Sequence, residues 1–255
     1  MATFLTRRSL VRGAGTLALA DFASNHGLPV RAAGEASETV TLSTPGGKRV
    51  SAILALPSNI PAPAIVVIHG GRGRTSWFID VAKRFAEQGF VGLAIDLFDG
   101  NVEYQGMLAD GAEKDLGKTV QTIVTWLDWL RSDKRTTGKV GFFGFSFGAR
   151  MAIHAALAAP VDASVLCVGT DRRRYDVAKL THFNGPVIGH YATKDGTRDV
   201  VESFIRRMKE AGKPMQVYWY EADHTFMVPT EPDYSKTDAE LAWQRTIDFL
   251  NSTLR

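Results

Sequence analysis

A serine between two glycines follows an apolar run near the middle of the chain, and this spacing suits nucleophilic chemistry. The segment Gly144-Phe145-Ser146-Phe147-Gly148 comes directly after Val140–Phe143. Glycines two residues before and after the serine let a strand turn sharply into a helix, which exposes the serine hydroxyl above the strand ends. Small residues from Gly148 to Ala156 favour a helix packed closely on the sheet. The pattern predicts a nucleophile at Ser146, with an ordinary strand–helix turn as the alternative.

A serine hydroxyl needs a base to remove its proton during attack, and histidine is suited to that role. In hydrolases with this kind of turn the chain order is serine, acid, histidine. Of the six histidines, only His224 follows a late predicted strand. Asp195 comes just after the predicted strand 186–191, where an acid is expected. Asp199 and Asp223 are weaker candidates, because the first falls in the next helix and the second adjoins His224.

An acyl-transfer site also needs N–H donors for the developing oxyanion. The backbone N–H of Phe147, the residue after the nucleophile, is one predicted donor. The other is expected from the glycine-rich loop 69–74, with Gly71 as the best position and Arg72 next. We expect His69 to brace this loop by hydrogen bonding rather than to act as a base.

Arginines and aromatic residues near these segments could contact a substrate. An arginine beside the oxyanion loop, or in the run 172–174, could hold a carboxylate in a bidentate pair. Solvated surface arginines are the alternative explanation. Phe147 could also contribute to an apolar acyl pocket. The candidate substrate-binding residues are Arg72, Arg74, Trp77, Phe145 and Phe226.

Beyond residue 37, strand-like and helix-like segments alternate, which predicts an α/β fold with a mostly parallel central sheet and helices on both faces. No repeat or linker divides the chain, so one domain over 37–255 is predicted. The expected strands are 39–43, 49–56, 64–68, 91–95, 140–143, 164–168, 186–191 and 215–220, and the expected helices are 76–88, 113–132, 147–159, 197–211 and 238–253.

The chain has 255 residues and a net charge of +3. Residues 1–33 carry four arginines and one aspartate, 4 − 1 = +3, so the remainder sums to zero. A neutral body without a basic stripe argues against a nucleic-acid partner. No run of about 20 apolar residues occurs, so stable membrane insertion is not expected. The sequence does not indicate the oligomeric state.

The segment 1–33 has features of an export signal. Thr6-Arg7-Arg8-Ser9-Leu10-Val11-Arg12 resembles the twin-arginine pattern, and a short, weakly apolar stretch and small residues follow it. We expect export to the periplasm or secretion by this route. A disordered tail on a cytoplasmic protein is the alternative.

Cys167 is the only cysteine, so no internal disulfide can form. It lies in the apolar run 163–168, which predicts a buried, inert thiol. A cysteine-based metal cluster is impossible with one cysteine, and no H-E-x-x-H motif occurs. We expect neither a metal nor an organic cofactor.

From about residue 37 onward the chain resembles the dienelactone hydrolase family of the α/β-hydrolase fold. The resemblance is carried by Ala64–Gly73, Ala94–Leu97, Gly138–Gly144 and Val217–Tyr220 with the following His224-Thr225-Phe226. It implies a compact single domain without a large lid, no cofactor, and hydrolysis of lactones or other esters. Ser146 stands where the family's characteristic enzymes carry cysteine, and Gly70 where they carry a glutamate, so this chain resembles a serine variant.

These patterns together predict an enzyme, a carboxylic ester hydrolase that acts on a small ester or lactone through an acyl-enzyme. Ser146 would attack, His224 would carry the proton, and Asp195 would orient the imidazole. A serine exopeptidase of the same fold is one alternative. A non-catalytic binding module that has kept the fold is the other.

Overall fold

The structure, a computed structural model, describes residues 37–102, 107–170 and 175–255. The predicted export segment 1–33 and the arginines at 172–174 therefore lie outside the described residues. Within the described ranges the chain forms eight strands and seven helices.

The strands and helices alternate along most of the chain, as predicted. In chain order they are β1 (Ser37–Ser43), β2 (Arg49–Ala55), β3 (Ala62–Ile68), α1 (Ser76–Glu87), β4 (Val91–Ile95), α2 (Met107–Lys114), α3 (Leu116–Ser132), β5 (Thr136–Phe145), α4 (Phe147–Ala158), β6 (Ala163–Cys167), α5 (Val177–Leu180), β7 (Val187–Ala192), α6 (Arg198–Glu210), β8 (Gln216–Tyr220) and α7 (Lys236–Leu254).

The eight strands form one sheet in the order β1-β2-β4-β3-β5-β6-β7-β8. β1 and β2 pair antiparallel, and β2 also runs antiparallel to β4. Every pairing from β4 to β8 is parallel. The carboxyl ends of β5, β6 and β7 therefore meet at one edge of the sheet, where ligands bind in open α/β sheets. The predicted fold class is confirmed.

Both faces of the sheet are covered because successive side chains of a strand point to opposite faces. In β3, which is buried along its whole length, Ile65 and Val67 pack in a cluster with residues of α1 and α7. Val66 and Ile68 pack in a second cluster with residues of α3 and α4. In the described part of the chain, no helix is long and apolar enough to span a bilayer.

Two short helices, α2 and α5, were not expected from the sequence. The prediction merged the end of α2 with α3 in one helix over 113–132. In the structure Asp115 separates them, because its φ of −98° and ψ of 39° depart from helical values. Glycine is a poor helix former, which hides a short helix such as α2 from its sequence pattern.

Candidate active site

Ser146 lies at the turn between β5 and α4 in a backbone conformation that few residues adopt. Its φ is 54° and its ψ is −112°. For a residue with a side chain this conformation costs free energy, and such residues cluster at functional sites. The N–H of Ser146 donates to the carbonyl of Cys167 at 2.8 Å, which ties the turn to β6. The turn therefore holds the serine in a strained but fixed position.

Three glycines let the neighbouring backbones approach this turn. A Cβ on Gly144 would overlap the carbonyl of Gly148, and one on Gly148 would overlap the carbonyl of Ile68 in β3. A Cβ on Gly169, after β6, would overlap the carbonyl of Ser146 itself. The two glycines of the sequence motif are therefore required by close backbone contacts. Gly169 is a third requirement that the motif does not include.

The structure brings Ser146, His224 and Asp195 together. His224 Nε2 lies 2.8 Å from Ser146 Oγ. Asp195 Oδ2 lies 2.9 Å from His224 Nδ1. The carboxylate is within ion-pair distance but off the line of the Nδ1–H bond, so Nδ1 has no aligned hydrogen-bond partner among the described residues.

The loops that carry the acid and the histidine are tied to each other. After β7, the N–H of Thr193 donates to the carbonyl of Tyr220 at 2.9 Å, and that of Lys194 donates to Ala222 at 3.1 Å. These bonds extend the β7–β8 pairing beyond the strands. Thr197 also donates its hydroxyl to Asp195 Oδ2 at 3.3 Å. The spacing between acid and base is therefore set mainly by backbone pairing.

Phe147 and Gly71, the predicted oxyanion donors, are neighbours in space. A Cβ built on Gly71 would lie 4.0 Å from the Cβ of Phe147. Phe147 is the first residue of α4, so its N–H has no acceptor within the helix. Ser146, the residue before the helix, makes no side-chain cap for it. Ala149 and Arg150 donate their N–H groups to the carbonyl of Ser146 at 3.1 and 3.3 Å, which leaves the N–H of Phe147 to bind a negatively charged oxygen.

His69 braces the loop that carries Gly71, as predicted. Its Nε2 accepts the N–H of Leu97 at 3.1 Å, so Nδ1 carries the proton and donates to the carbonyl of Gly70 at 2.8 Å. The side chain is fully buried. Burial lowers the pKa of His69 from 6.5 to about 4, which keeps the imidazole neutral near pH 7. It therefore acts as a fixed support between β3 and β4.

A cleft of about 160 Å³ opens beside Ser146. Six of its lining residues were not predicted from the sequence as site residues: Arg150, Val168, Gly169, Thr170, Thr197 and Val200. Arg150 could have been found, because it lies four residues after Ser146 and therefore on the same face of α4. Thr170 and Val200 give no such signal, since only the folded sheet brings the ends of β6 and β7 beside the serine.

The two arginines predicted as substrate ligands bind other parts of the protein. Arg74 donates to Asp96 Oδ2 at 3.4 Å and to the carbonyl of Ala94 at 3.3 Å, and only 14% of its side chain is exposed. Its predicted substrate contact is wrong, because the guanidinium is held at the end of β4. Arg72 forms an ion pair with Glu231 at 2.5 Å, which links the glycine-rich loop 69–74 to the loop after His224.

Among the aromatic residues predicted to contact substrate, Phe145 lies next to His224, with 6.1 Å between the two ring centroids. Phe226 is fully buried and stacks on Tyr220 at 5.0 Å, so the predicted contact with substrate is wrong. Trp77 packs edge-on against Phe145 at 5.0 Å. It lines a separate cavity of about 210 Å³ between α1 and α7 rather than the cleft at Ser146.

Comparison with known proteins gives relatives over most of the chain. The chain is 26% identical over 230 residues to a carboxymethylenebutenolidase of a Pseudomonas species, covering 84% of this chain and 94% of that one. It is 24% identical over 233 residues to the carboxymethylenebutenolidase of Pseudomonas putida, covering 84% and 96%.

Solved structures of similar fold include a dienelactone hydrolase-like promiscuous phosphotriesterase from metagenomic libraries, with a TM-score of 0.77. It is 20% identical to this chain, and the match covers 86% of this chain and all of that one. Another is the dienelactone hydrolase of Anabaena variabilis, with a TM-score of 0.66, 23% identity, and coverage of 86% and 99%. The family model described as "Dienelactone hydrolase family" matches residues 50–254. The match confirms the predicted family and the predicted enzyme class of carboxylic ester hydrolase: the chain belongs to the dienelactone hydrolase family.

Proposed function

We propose that this protein is a serine hydrolase that cleaves small carboxylic esters or lactones through an acyl-enzyme. The observation that carries the proposal is the contact of 2.8 Å between Ser146 Oγ and His224 Nε2, with Asp195 on the other nitrogen of the imidazole. Two relatives named carboxymethylenebutenolidase support an ester or lactone substrate. The buried Cys167 supplies no competing nucleophile, because burial raises the pKa of its thiol.

In the first step Ser146 Oγ attacks the ester carbonyl while its proton passes to His224 Nε2. The carbonyl π pair moves to oxygen, where the N–H groups of Phe147 and Gly71 stabilise the charge. Asp195 stabilises the imidazolium and holds its tautomer. Collapse of the intermediate breaks the bond to the alcohol, which takes the proton from His224. For a lactone the leaving oxygen stays attached to the acyl group.

In the second step water attacks the acyl-enzyme and gives its proton to His224 Nε2. The second tetrahedral intermediate uses the same two N–H donors. Its collapse breaks the bond to Ser146 Oγ, which recovers the proton and frees the carboxylic acid. The same three side chains therefore serve both halves of the cycle.

Hydrolysis of short-chain p-nitrophenyl esters tests this proposal. We expect Ser146→Ala and His224→Ala to lower kcat by a factor of ~10³ or more, as when a member of a catalytic triad is removed. Thr225→Ala, next to His224 but with its hydroxyl paired to Asp233 at 3.3 Å, is the matched control and should keep most activity. Undiminished turnover by Ser146→Ala would exclude this serine as the nucleophile.

A serine exopeptidase is the second candidate. Similar folds occur in Porphyromonas gingivalis dipeptidyl peptidase 4 and Pyrococcus horikoshii acylaminoacyl peptidase, with TM-scores of 0.64 and 0.68. The likeness covers only 36% and 41% of those chains. Hydrolysis of aminoacyl anilides without hydrolysis of simple esters would favour this candidate. Saturable ester binding without any turnover would instead favour a binding module.

We also propose that the chain is exported by the twin-arginine route, on the evidence of Arg7 and Arg8 and the residues after them. Replacement of both arginines by lysine keeps the charge and removes the pattern. The full-length chain should then accumulate in the cytoplasm, whereas the unaltered chain should appear in the periplasm or medium. Equal distribution of the two would refute export by this route.

A further inference from the structure

Apart from His224 Nδ1, which the Asp195 carboxylate approaches at 2.9 Å, two buried polar atoms of residues that line the cleft at Ser146 have no hydrogen-bond partner among the described residues. Thr170 Oγ1 and Arg150 Nε are both shielded from solvent, and neither has a hydrogen-bond partner among the described residues. Both residues line the cleft that contains Ser146 and His224. Buried polar groups in folded proteins nearly always have partners, so two unsatisfied groups beside one cleft indicate a ligand that supplies an acceptor.

Thr170 is held next to the backbone of the nucleophile. It follows Gly169, which packs against the carbonyl of Ser146 so closely that a Cβ would overlap it. The preceding residue, Val168, has a φ of 44°, an unfavourable value for a β-branched side chain. Thr170 itself is 7% exposed. A strained turn therefore holds the hydroxyl at the wall of the cleft.

Arg150 reaches the same cleft from α4, one turn after Ser146. Side chains on a helix point back toward its N-terminus, so Arg150 extends toward the serine. Its Nη2 forms an ion pair with Glu113 Oε1 of α2 at 2.5 Å. Because Glu113 already balances the positive charge, the unused Nε donor suits an uncharged oxygen better than a second carboxylate.

We propose that Thr170 and Arg150 form a subsite that binds a second, uncharged oxygen of the substrate, located on its acyl group. This inference rests on the proposed function. Both donors belong to segments that carry or touch Ser146, to which the acyl group stays attached through both steps. The small volume of the cleft, about 160 Å³, favours a short acyl chain. Suitable substrates are esters and lactones of short acids with an ether, keto or hydroxyl oxygen near the carbonyl.

A pair of nearly isosteric esters tests the subsite. p-Nitrophenyl methoxyacetate differs from p-nitrophenyl butyrate by an ether oxygen in place of one methylene group. The ratio of their kcat/KM values is measured for the wild type and for Thr170→Val, which removes the hydroxyl and keeps the shape. Intrinsic reactivity cancels when the ratios are compared. We expect the preference for methoxyacetate to fall about fivefold to tenfold, the loss typical of one neutral hydrogen bond.

Arg150→Lys is the second variant, because it removes Nε and keeps a positive charge opposite Glu113. It should also lower the preference for methoxyacetate. Thr197→Val is the matched control: Thr197 lines the same cleft, but its hydroxyl donates to Asp195 at 3.3 Å. That change should affect both esters by the same factor and leave the ratio unaltered.

The outcomes separate this inference from the proposed function. Turnover of neither ester by the wild type would refute the proposed function and the subsite with it. Turnover of both, with a ratio that Thr170→Val and Arg150→Lys leave unchanged, would overturn the subsite alone. A wild-type kcat/KM for the anionic mono-p-nitrophenyl glutarate above that for methoxyacetate would overturn the assignment of an uncharged oxygen.

Discussion

The strained backbone at Ser146 predicts that glycine at this position gives a more stable protein than alanine. Both substitutions remove the hydroxyl and its contact with His224, so that loss cancels in the comparison. A residue with a Cβ at φ 54° and ψ −112° carries a strain of about 1–3 kcal/mol, which glycine relieves. Glycine loses about 0.5–1 kcal/mol more than alanine in backbone entropy on folding. Taking the middle of each range, Ser146→Gly should exceed Ser146→Ala in unfolding free energy by about 1 kcal/mol.

Ser203, a half-buried residue in the middle of α6, is the matched control. In a helix interior glycine is about 1 kcal/mol less stable than alanine. The glycine variant should therefore be the more stable of the pair at Ser146 and the less stable of the pair at the control position. Urea denaturation of the four variants measures it, with equal m-values as the check that the comparison is sound. If Ser146→Gly is less stable than Ser146→Ala, as expected for the same pair at Ser203, the turn is not strained and the rigid placement of Ser146 is not supported.

Three further predictions concern stability. Gly148→Ala should lower the unfolding free energy by about 1–3 kcal/mol, because the new Cβ overlaps the carbonyl of Ile68. An unfolding free energy equal to that of the wild type in urea denaturation would contradict this. Lowering the pH from 6.5 to 4 should lower the unfolding free energy, and His69 should account for up to about 3 kcal/mol of this loss. In the unfolded chain His69 binds a proton over this range, whereas in the folded chain its pKa of about 4 keeps it neutral. His190, whose pKa burial lowers to about 3, acts in the same direction, and a flat stability profile would refute both. Phe226→Leu should lower the melting temperature and leave ester selectivity unchanged, because the ring lies in the core. Altered selectivity would show instead that the ring contacts the substrate.

The fold was largely predictable because its signals are local. Apolar runs such as 64–68 and 91–95 gave the buried strands, and the predicted and observed bounds of the second agree. The predicted strand over 140–143 was too short, since β5 also covers Thr136–Lys139 and reaches Phe145. Polar residues and glycine at its start hide the strand, which is held there by pairing with β3.

The grouping of Ser146, Asp195 and His224 in space was also predictable, because chain order and position after a strand select these residues. These two criteria select Asp195 and His224, and the structure places His224 against Ser146 and Asp195 against His224. The substrate-side residues were not predictable, since their environment depends on tertiary contacts. Arg74 is adjacent to the oxyanion loop in sequence, yet its guanidinium turns to Asp96, 22 positions away. Thr170 lacks any local motif and reaches the cleft only through the β5–β6 pairing.

The most direct test is to treat the protein with a fluorophosphonate and to map the adduct by mass spectrometry. Attack by an activated serine displaces fluoride and leaves a stable phosphonyl ester on that oxygen. We predict one adduct, on Ser146, with labelling strongly slowed in His224→Ala and absent in Ser146→Ala. Ester turnover by a protein that acquires no adduct at residue 146, or that is labelled at another serine instead, would contradict the account.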